Sequence, residues 1–511
     1  MARREYTATD KFALLSVSNK EKISEFAKVL ISLGFKIIST GGTFETLKKD
    51  GIDVIPIEDI TGNPRDLFDG RMKSISFAVE SGILFDRNNQ SHVKQAKELG
   101  IPQIDIVVCN LYPFEEKPSV ENIDVGGPTM IRSAAKNFAN CFVFVDPQDY
   151  GKIGENSMEI RQALAAKAFY HLSLYDCLIA KFFSKDQFPQ EVTFGLRKIR
   201  QLRYGENPHQ EGVLYGVPKT NSPIAKLEYL WGRKLSETNI GDIYAGVETV
   251  RQFSGSAAVV IKHHTACGVG LGKDAKEALE RAIEADPISA FGGVIVLNKP
   301  MDLETAQIIG KFKGETYGNM DIIAIPEIDG KTLELLKGYR KSMGIYTFGK
   351  LPESRSEKFD VKWFEGGVVL QSFDDITKES FGEWSEVTKV KPTQKQYEQM
   401  KFGWKVVKAL RSNAVIVLDG TTPMTRGIGT GQTSRVAATE ISLRQAGEYT
   451  KNGILVSDSF FPFDDCVKLA AKYGISVVVQ QGGSIHDQDS IDVANEANIA
   501  MIFTGRRAFR H

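Results

Sequence analysis

Two short histidine segments hold the densest reactive chemistry in this chain: Arg203-Tyr204-Gly205-Glu206-Asn207-Pro208-His209-Gln210 and Lys262-His263-His264-Thr265-Ala266-Cys267-Gly268. Of the seven histidines in the sequence, three lie in these segments, a concentration that chance placement in a core or on a surface explains poorly. Imidazole is the side chain whose ordinary pKa lies near neutrality, so it takes and returns a proton at working pH. A lysine next to it, as Lys262 is next to His263, can steady negative charge developing on a reacting oxygen. The pattern points to proton transfer coupled to oxyanion stabilisation.

A second group of motifs lies in the first third of the chain. Ser39-Thr40-Gly41-Gly42-Thr43 is rich in hydroxyls and glycine at a strand-to-helix turn, where backbone amides can point inward around a phosphate. The same composition also suits an ordinary turn. Asp69-Gly70-Arg71-Met72-Lys73 adds two cations two residues apart, suited to an anionic ligand or an oxyanion. Asn110-Leu111-Tyr112-Pro113-Phe114 closes a strand with a tyrosine before a proline. Asn122-Ile123-Asp124-Val125-Gly126-Gly127-Pro128-Thr129 and Ala134-Ala135-Lys136-Asn137 supply a carboxylate and a further cation.

The elements that must position these groups alternate in type. Phe12–Val17, Lys36–Ser39, Val54–Ile57, Ile104–Cys109 and Phe142–Val145 read as buried strands, and Lys20–Leu33 has helical spacing at Ile23, Phe26, Leu30 and Ile31. Strand and helix in alternation predict a parallel sheet covered on both faces, with ligands beyond the carboxyl ends of the strands. A long helix is expected at Met158–Phe183, then a linker at Phe188-Pro189-Gln190-Glu191 and a domain boundary near residue 195. Strands follow at Ala257–Ile261, Val294–Leu297, Ile322–Ile325, Ala414–Leu418, Ile454–Val456 and Ser476–Val479. The sequence of this second part displays no repeat strong enough to establish two similar halves.

A chain of 511 residues has ample core, with 42% hydrophobic and 25% charged residues. Lys+Arg and Asp+Glu both number 64, so net charge offers nothing to nucleic acid or a membrane surface, and neither is an expected partner. The five cysteines, Cys109, Cys141, Cys177, Cys267 and Cys466, are dispersed and form no CxxC pair, which argues against a disulfide framework and a structural zinc site. Met1–Tyr6 is basic without an apolar run behind it, so no signal peptide or anchor is expected. With no stretch of roughly 18 apolar residues either, the expected location is cytoplasmic.

Taken together, from Leu14-Leu15-Ser16-Val17-Ser18 to Phe509-Arg510-His511, the motifs resemble a bifunctional purine-biosynthesis family. Its activities are aminoimidazole-carboxamide ribonucleotide (AICAR) transformylase and inosine monophosphate (IMP) cyclohydrolase. The resemblance implies an α/β chain in two parts. Residues 1–195 would be a methylglyoxal-synthase-like, doubly wound parallel sheet domain that closes formyl-AICAR to IMP. Residues 196–511 would be a transformylase made of two cytidine-deaminase-like halves, using 10-formyltetrahydrofolate as co-substrate and requiring no metal. It further implies a homodimer with transformylase sites built across the subunit interface.

The resemblance also assigns residues. Phosphate and ribose contacts fall to Ser16, Lys20, Thr40, Gly41, Gly42, Thr43 and Arg71, and ring closure to Lys73, Tyr112, Asp124 and Lys136. Closing the ring demands an oxyanion stabiliser and proton-handling groups, which lysines, a carboxylate and a phenol provide. In the second part His263 is the proton-transfer residue, Lys262 its cationic neighbour and Asn413 the group that polarises the formyl. Arg203, Tyr204, Asn239, Phe291, Gly292, Arg507, Phe509 and His511 are expected on AICAR. Gly427-Ile428-Gly429-Thr430-Gly431-Gln432-Thr433-Ser434-Arg435 lacks the dinucleotide-binding spacing and is assigned to the folate side, with Arg435 opposite a carboxylate. Phe460-Phe461-Pro462-Phe463 suits the pterin, a subunit contact or core packing alike.

After Lys73 the chain departs from the family's Thr-Leu-His-Pro segment and reads Ser74-Ile75-Ser76-Phe77-Ala78-Val79-Glu80-Ser81-Gly82. Glu80 there implies weaker phosphate affinity. The departure motivates an alternative: a transformylase whose N-terminal domain binds nucleotide without catalysis. A purine sensor on the same scaffold is disfavoured by the retention of Lys262, His263, Asn413 and His511.

Overall fold

Aliphatic and β-branched runs without polar interruption require cover on both faces, and they form the strands of a parallel sheet. The computed structural model describes residues 10–65, 67–316, 318–376 and 379–511, so Met1–Tyr6 lies outside the described residues. The chain opens with β1 (Lys11–Val17), α1 (Ile23–Ser32), β2 (Phe35–Ser39), α2 (Gly41–Lys49), β3 (Val54–Pro56) and α3 (Glu58–Thr61). It continues through α4 (Phe77–Leu84), α5 (Gln90–Glu98), β4 (Gln103–Asn110), α6 (Gly126–Lys136), β5 (Phe142–Phe144) and α7 (Met158–Phe183). Strand order is β3-β2-β1-β4-β5, and every neighbouring pair is parallel. Phe12, Ala13, Leu14 and Leu15 of β1 are all fully buried, as a central strand with helices on both faces demands. On α1, Ile23, Phe26 and Leu30 face inward, whereas Ile31 is exposed. The strand order reverses between β1 and β4, which opens a crevice beyond their carboxyl ends.

The remainder begins with β6 (Arg197–Gln201), β7 (Val213–Gly216), β8 (Glu228–Trp231), α8 (Glu237–Val250), β9 (Ser256–Lys262) and β10 (Thr265–Gly272). Next come α9 (Ala275–Glu284), α10 (Pro287–Ala290), β11 (Gly293–Leu297), α11 (Leu303–Thr316), β12 (Met320–Ile325), α12 (Gly330–Tyr339) and β13 (Gly344–Thr347). A hairpin of β14 (Phe359–Phe364) and β15 (Gly367–Ser372) precedes β16 (Ser385–Glu386), α13 (Gln394–Val407), β17 (Val415–Leu418) and β18 (Thr425–Gly429). The chain ends through α14 (Arg435–Ala446), β19 (Ile454–Ser457), α15 (Asp465–Lys472), β20 (Val477–Gln480), α16 (Asp487–Glu496) and β21 (Ala500–Phe503).

These elements build a repeat that the sequence conceals. One sheet has the order β10-β9-β11-β12-β13-β8, the other β18-β17-β19-β20-β21-β16. Strand senses follow the same series in both: antiparallel, antiparallel, parallel, parallel, antiparallel. Alternate residues of β9 face two different cores, with Ala257, Val259 and Ile261 toward α8 and Ala258 and Val260 toward α9. The first of these cores is shared between the halves, since it also takes in Met400, Trp404 and Val406 of α13 and Ile416 and Leu418 of β17. An antiparallel bridge, Gly270 with Met424, joins the halves, reinforced by the Val269 amide on Thr425 Oγ1 at 3.0 Å. That register puts the β9–β10 turn and the end of β18 at the same end of the joined sheets.

The chain divides into two compact units. One runs through Arg197 and takes in Val217–Lys219; the other holds Lys198–Gly216 and Thr220–His511.

Candidate active sites

In the first unit, a cavity of about 580 Å³ opens where β1 and β4 end. Ser16 and Thr40 share a hydrogen bond of 2.7 Å across the two strand ends. Thr43 Oγ1 accepts the Val17 amide at 3.0 Å and donates to the Val17 carbonyl at 2.9 Å, tying the glycine turn to β1. Asn110 Oδ1 receives the Ser18 and Asn19 amides at 2.6 and 2.8 Å, fixing the loop that carries Lys20. The Lys20 and Lys73 amines stand beside Gly42 and Gly41 respectively, each 3.7 Å from where a Cβ would project, so both cations lie over the turn. Gly41 has φ +38, which also favours glycine.

The opposite wall is the start of α6. Asp124 Oδ1 accepts the Gly127 amide at 2.8 Å, and the Asp124 amide donates to the Tyr175 hydroxyl at 2.7 Å. Burial lifts the Asp124 carboxyl above its ordinary range, against the Gly127 amide and the Lys73 charge, which pull it down. Burial likewise lifts the Tyr112 hydroxyl, and the Asp124 charge adds to the effect. Lys73, Tyr112 and Asp124 therefore sit in one electrostatic neighbourhood. Arg71, also on the cavity, pairs with Glu121 at 2.7 Å, both side chains well exposed.

Of the residues expected here, Ser16, Lys20, Thr40, Gly41, Gly42, Thr43, Arg71, Lys73, Tyr112 and Asp124 line the cavity. Lys136 does not. It is the exposed last residue of α6, and at ~1.5 Å rise per residue the helix carries it roughly 15 Å from Gly126. The divergent Ser74–Gly82 segment also falls differently from expectation. Ser74 and Ile75 line the cavity, and Ser76 caps α4 through the Val79 amide at 3.2 Å. Glu80 turns away from the cavity, accepts from Ser133 Oγ at 2.6 Å, and is lifted above its ordinary pKa by burial. Its charge does not line the cavity.

In the second unit, His263 and His264 form the two-residue turn between β9 and β10, flanked by the Lys262–Thr265 pair. Lys262 Nζ donates to the Phe291 carbonyl at 3.0 Å, next to Gly292 at φ +76. His263 is exposed. The His264 amide donates to Asp242 Oδ1 at 2.7 Å, and its ring lies against Gly241 of α8. The same helix receives Arg203 and Tyr204: the Glu237 amide donates to the Tyr204 carbonyl at 3.2 Å, and Arg203 stacks on and bonds the Tyr204 ring and hydroxyl. His209 is exposed in a loop closed by Gln210. Asn239, expected on substrate, is instead the third residue of the α8 capping box, its Oδ1 receiving the Ser236 amide and hydroxyl at 3.1 Å each. Its Oδ1 is committed to the helix end.

Asn413 belongs to a separate group. Its Nδ2 donates to the Gln432 carbonyl at 2.9 Å, and its Oδ1 accepts from Arg435 Nη2 at 2.6 Å. Arg435 was expected opposite a folate carboxylate, but it is buried against Asp458 and also donates to Ser457 Oγ at 2.8 Å. Asp458, fully buried, further accepts from Ser412 Oγ at 2.5 Å and the Ala414 amide at 3.1 Å. Arg435 is an internal anchor for Asn413. Gly427 and Gly429 likewise lie inside β18, where a Cβ would strike the α14 backbone at Ser442 and Ala438; strand-on-helix packing accounts for their spacing. Phe461 is core, whereas Phe463 is exposed.

At the C-terminus, Arg507 stacks over Phe509 at 4.9 Å, and Phe509 meets His511 edge-on at 5.6 Å. Phe509 and His511 line a second cavity of about 620 Å³ with Tyr244, Arg355 and Lys362, but Arg507, Lys262, His263 and Asn413 do not. Among the described residues no hydrogen bond joins the His263 group to the Asn413 group, and no cluster of three or more His, Cys, Asp or Glu side chains gathers as a metal site. Nor is any described helix long and apolar enough to cross a membrane. Asp242, Gly241 and Asp458 carry no recognisable motif in the sequence.

The model of the AICARFT/IMPCHase bienzyme family matches residues 134–445, and that of the MGS-like domain matches residues 22–136. The chain is 42% identical to the bifunctional purine biosynthesis protein PurH of a Thermoanaerobacter species over 98% of its own length and 100% of that protein's. It is 40% identical to the protein of the same name from Oceanobacillus iheyensis, and 41% to that from Bacillus thuringiensis, each over 98% of this chain and 100% of the relative.

Proposed function

The chain belongs to the AICARFT/IMPCHase bienzyme family, and from that premise we propose that its two activities are divided between its two units. The enzyme is an AICAR formyltransferase and IMP cyclohydrolase of purine biosynthesis. Formyl transfer belongs to the second unit and cyclisation to the first.

For cyclisation, the substrate phosphate lies on the Thr40–Thr43 turn with Lys20 and Arg71 as its cations. The carboxamide nitrogen attacks the formyl carbon, Lys73 steadies the oxyanion, and Asp124 and Tyr112 move the protons as water leaves. For transfer, the AICAR amine attacks the formyl carbon of 10-formyltetrahydrofolate. His263 takes the amine proton, Lys262 and Asn413 polarise the formyl oxygen, and the departing folate nitrogen regains a proton. Lysine supplies the positive charge in both steps, so the reading calls for no metal. The acting molecule is a cytoplasmic homodimer, with each transformylase site completed across the interface. Support comes from Ile288 of α10 and Phe291 just beyond it, large apolar side chains left exposed, with the Phe291 carbonyl held by Lys262.

The observation that carries the cyclisation assignment is the convergence of the hydroxyl–glycine cradle, Lys73, Tyr112 and Asp124 on one crevice at the strand-order reversal. Supplying formyl-AICAR to the full-length protein and following IMP by absorbance tests it. Enzymatic ring closure is expected. Closure at the uncatalysed rate would leave a transformylase with a silent N-terminal domain.

A further inference from the structure

The turn that presents His263 is left-handed at both positions, with φ +53 at His263 and +61 at His264. Such turns match the twist of a β hairpin but favour Asn and Gly, because a Cβ is crowded at positive φ. Neither residue is present here, and the turn has a hold from outside the hairpin instead. The hold comes from α8. Asp242 is buried to 5% exposure, and its Oδ1 receives the His264 amide at 2.7 Å. The ring of the same histidine is seated on that helix, where any side chain at Gly241 would overlap it. Glu237 lies one turn earlier on the same face. Backbone and ring of His264 are thus both fixed to α8, while His263 projects outward and Lys262 is tied at 3.0 Å to the Phe291 carbonyl.

We infer that Asp242 is a positioning residue for formyl transfer, holding the His264 amide so that the turn aims His263 at the reacting amine. The inference rests on the reading of His263 as the proton-transfer group. Asp242 touches no substrate. It acts through the turn, and what matters is an acceptor at Oδ1 facing a backbone amide. A displacement of about 1 Å at a proton-transfer group lowers turnover by as much as ~100-fold while leaving ground-state binding nearly intact.

The test is steady-state formyl transfer by full-length Asp242→Ala, Asp242→Asn and His264→Gly, with the calorimetric melting profile of the second unit as the folding control. Asp242→Ala is expected to lower kcat by about 10- to 100-fold with KM for AICAR within about threefold. Asp242→Asn, whose carboxamide oxygen still accepts the amide, is expected to recover most of that loss. His264→Gly keeps the amide and adopts positive φ freely but gives up the ring seat on α8, so its kcat should fall less than that of Asp242→Ala. Wild-type kcat in Asp242→Ala, a loss confined to KM, or an equal loss in Asp242→Asn would overturn the inference. If Asp242→Ala does not fold, Asp242→Asn decides alone: retained kcat supports the acceptor role and lost kcat refutes it. His263→Ala, measured alongside, separates the two readings. Retained transfer there removes the proton-transfer assignment itself, whereas lost transfer with an unaffected Asp242→Ala removes only the positioning role.

Discussion

Arg435→Met separates two roles for one arginine. Methionine keeps an unbranched apolar stem and removes the charge and fork. Arg435 Nη1 serves Asp458 and Ser457, and Nη2 serves Asn413 at 2.6 Å, with the arginine side chain 7% exposed and the aspartate 0%. Without it, the fully buried Asp458 carboxylate keeps only neutral donors, Ser412 Oγ and the Ala414 amide. Removing one partner of a buried ion pair costs about 3–5 kcal/mol, so the second unit should melt lower by on the order of 10 °C. Asn413 loses its tie at the same time, and formyl transfer should fall mainly in kcat. Arg435→Lys retains a charge near Asp458 without the second arm, so it should lose less stability and still lose turnover. Scanning calorimetry on the full chain and transfer kinetics against folate concentration measure both effects. A wild-type melting profile with only KM for folate raised would refute the anchor and restore Arg435 as a ligand contact.

Three further outcomes follow from the first unit. Lys73→Met should slow cyclisation by about 100- to 1000-fold, the loss typical of one oxyanion donor, without altering formyl transfer. Because the Lys73 charge lowers the Asp124 carboxyl, the acid limb of the residual cyclisation profile should move to higher pH; an unmoved limb would mean the two do not interact. Gly127→Ala places a Cβ 2.6 Å from Asp124 Oδ2 and 2.7 Å from Leu111 Cδ2, so overpacking of about 1–3 kcal/mol outweighs a helix gain of about 1 kcal/mol. Urea denaturation should show a net loss, with cyclisation reduced. For Glu80, burial raises the folded pKa above the unfolded one, so its contribution is fully present below about pH 4 and is lost as pH rises through the folded value. Glu80→Gln should therefore gain urea resistance over wild type at neutral pH and lose that advantage at pH 4.

The parallel sheet of the first unit was readable because its strands are buried on both faces and carry continuous apolar runs such as Phe12–Val17. The sequence brings the hydroxyl–glycine turn, Lys73, Tyr112 and Asp124 toward one cavity because most of them follow a strand or open a helix at the carboxyl ends of the sheet. β10 and β18 were not readable. Their sequences, Thr-Ala-Cys-Gly-Val-Gly-Leu-Gly and Thr-Arg-Gly-Ile-Gly, carry glycine on alternate residues because helices press directly on them. At Gly270, for instance, a Cβ would come 2.6 Å from the Ala278 carbonyl oxygen of α9. Glycine at every second position weakens the strand signal, and at Gly427–Gly431 it imitates a ligand loop. The resemblance assigned Arg435 and Asn239 to ligands, and their internal partners were not legible in the sequence: Asp458 lies 23 residues from Arg435, and Ser236 makes Asn239 a cap. Lys136, assigned to ring closure by the resemblance, ends the helix whose beginning walls the cavity.

The division of labour between the units is tested most directly with two single-site variants, Lys73→Ala and His263→Ala, assayed apart and mixed with AICAR and 10-formyltetrahydrofolate. Lys73→Ala should convert AICAR to formyl-AICAR, which accumulates. His263→Ala should make none from AICAR yet cyclise supplied formyl-AICAR at close to the wild-type rate. Mixing the two should restore IMP formation through the free intermediate. Loss of both activities in either folded variant, or a mixture that makes no IMP although each variant performs its own step, would contradict two independent sites on one chain.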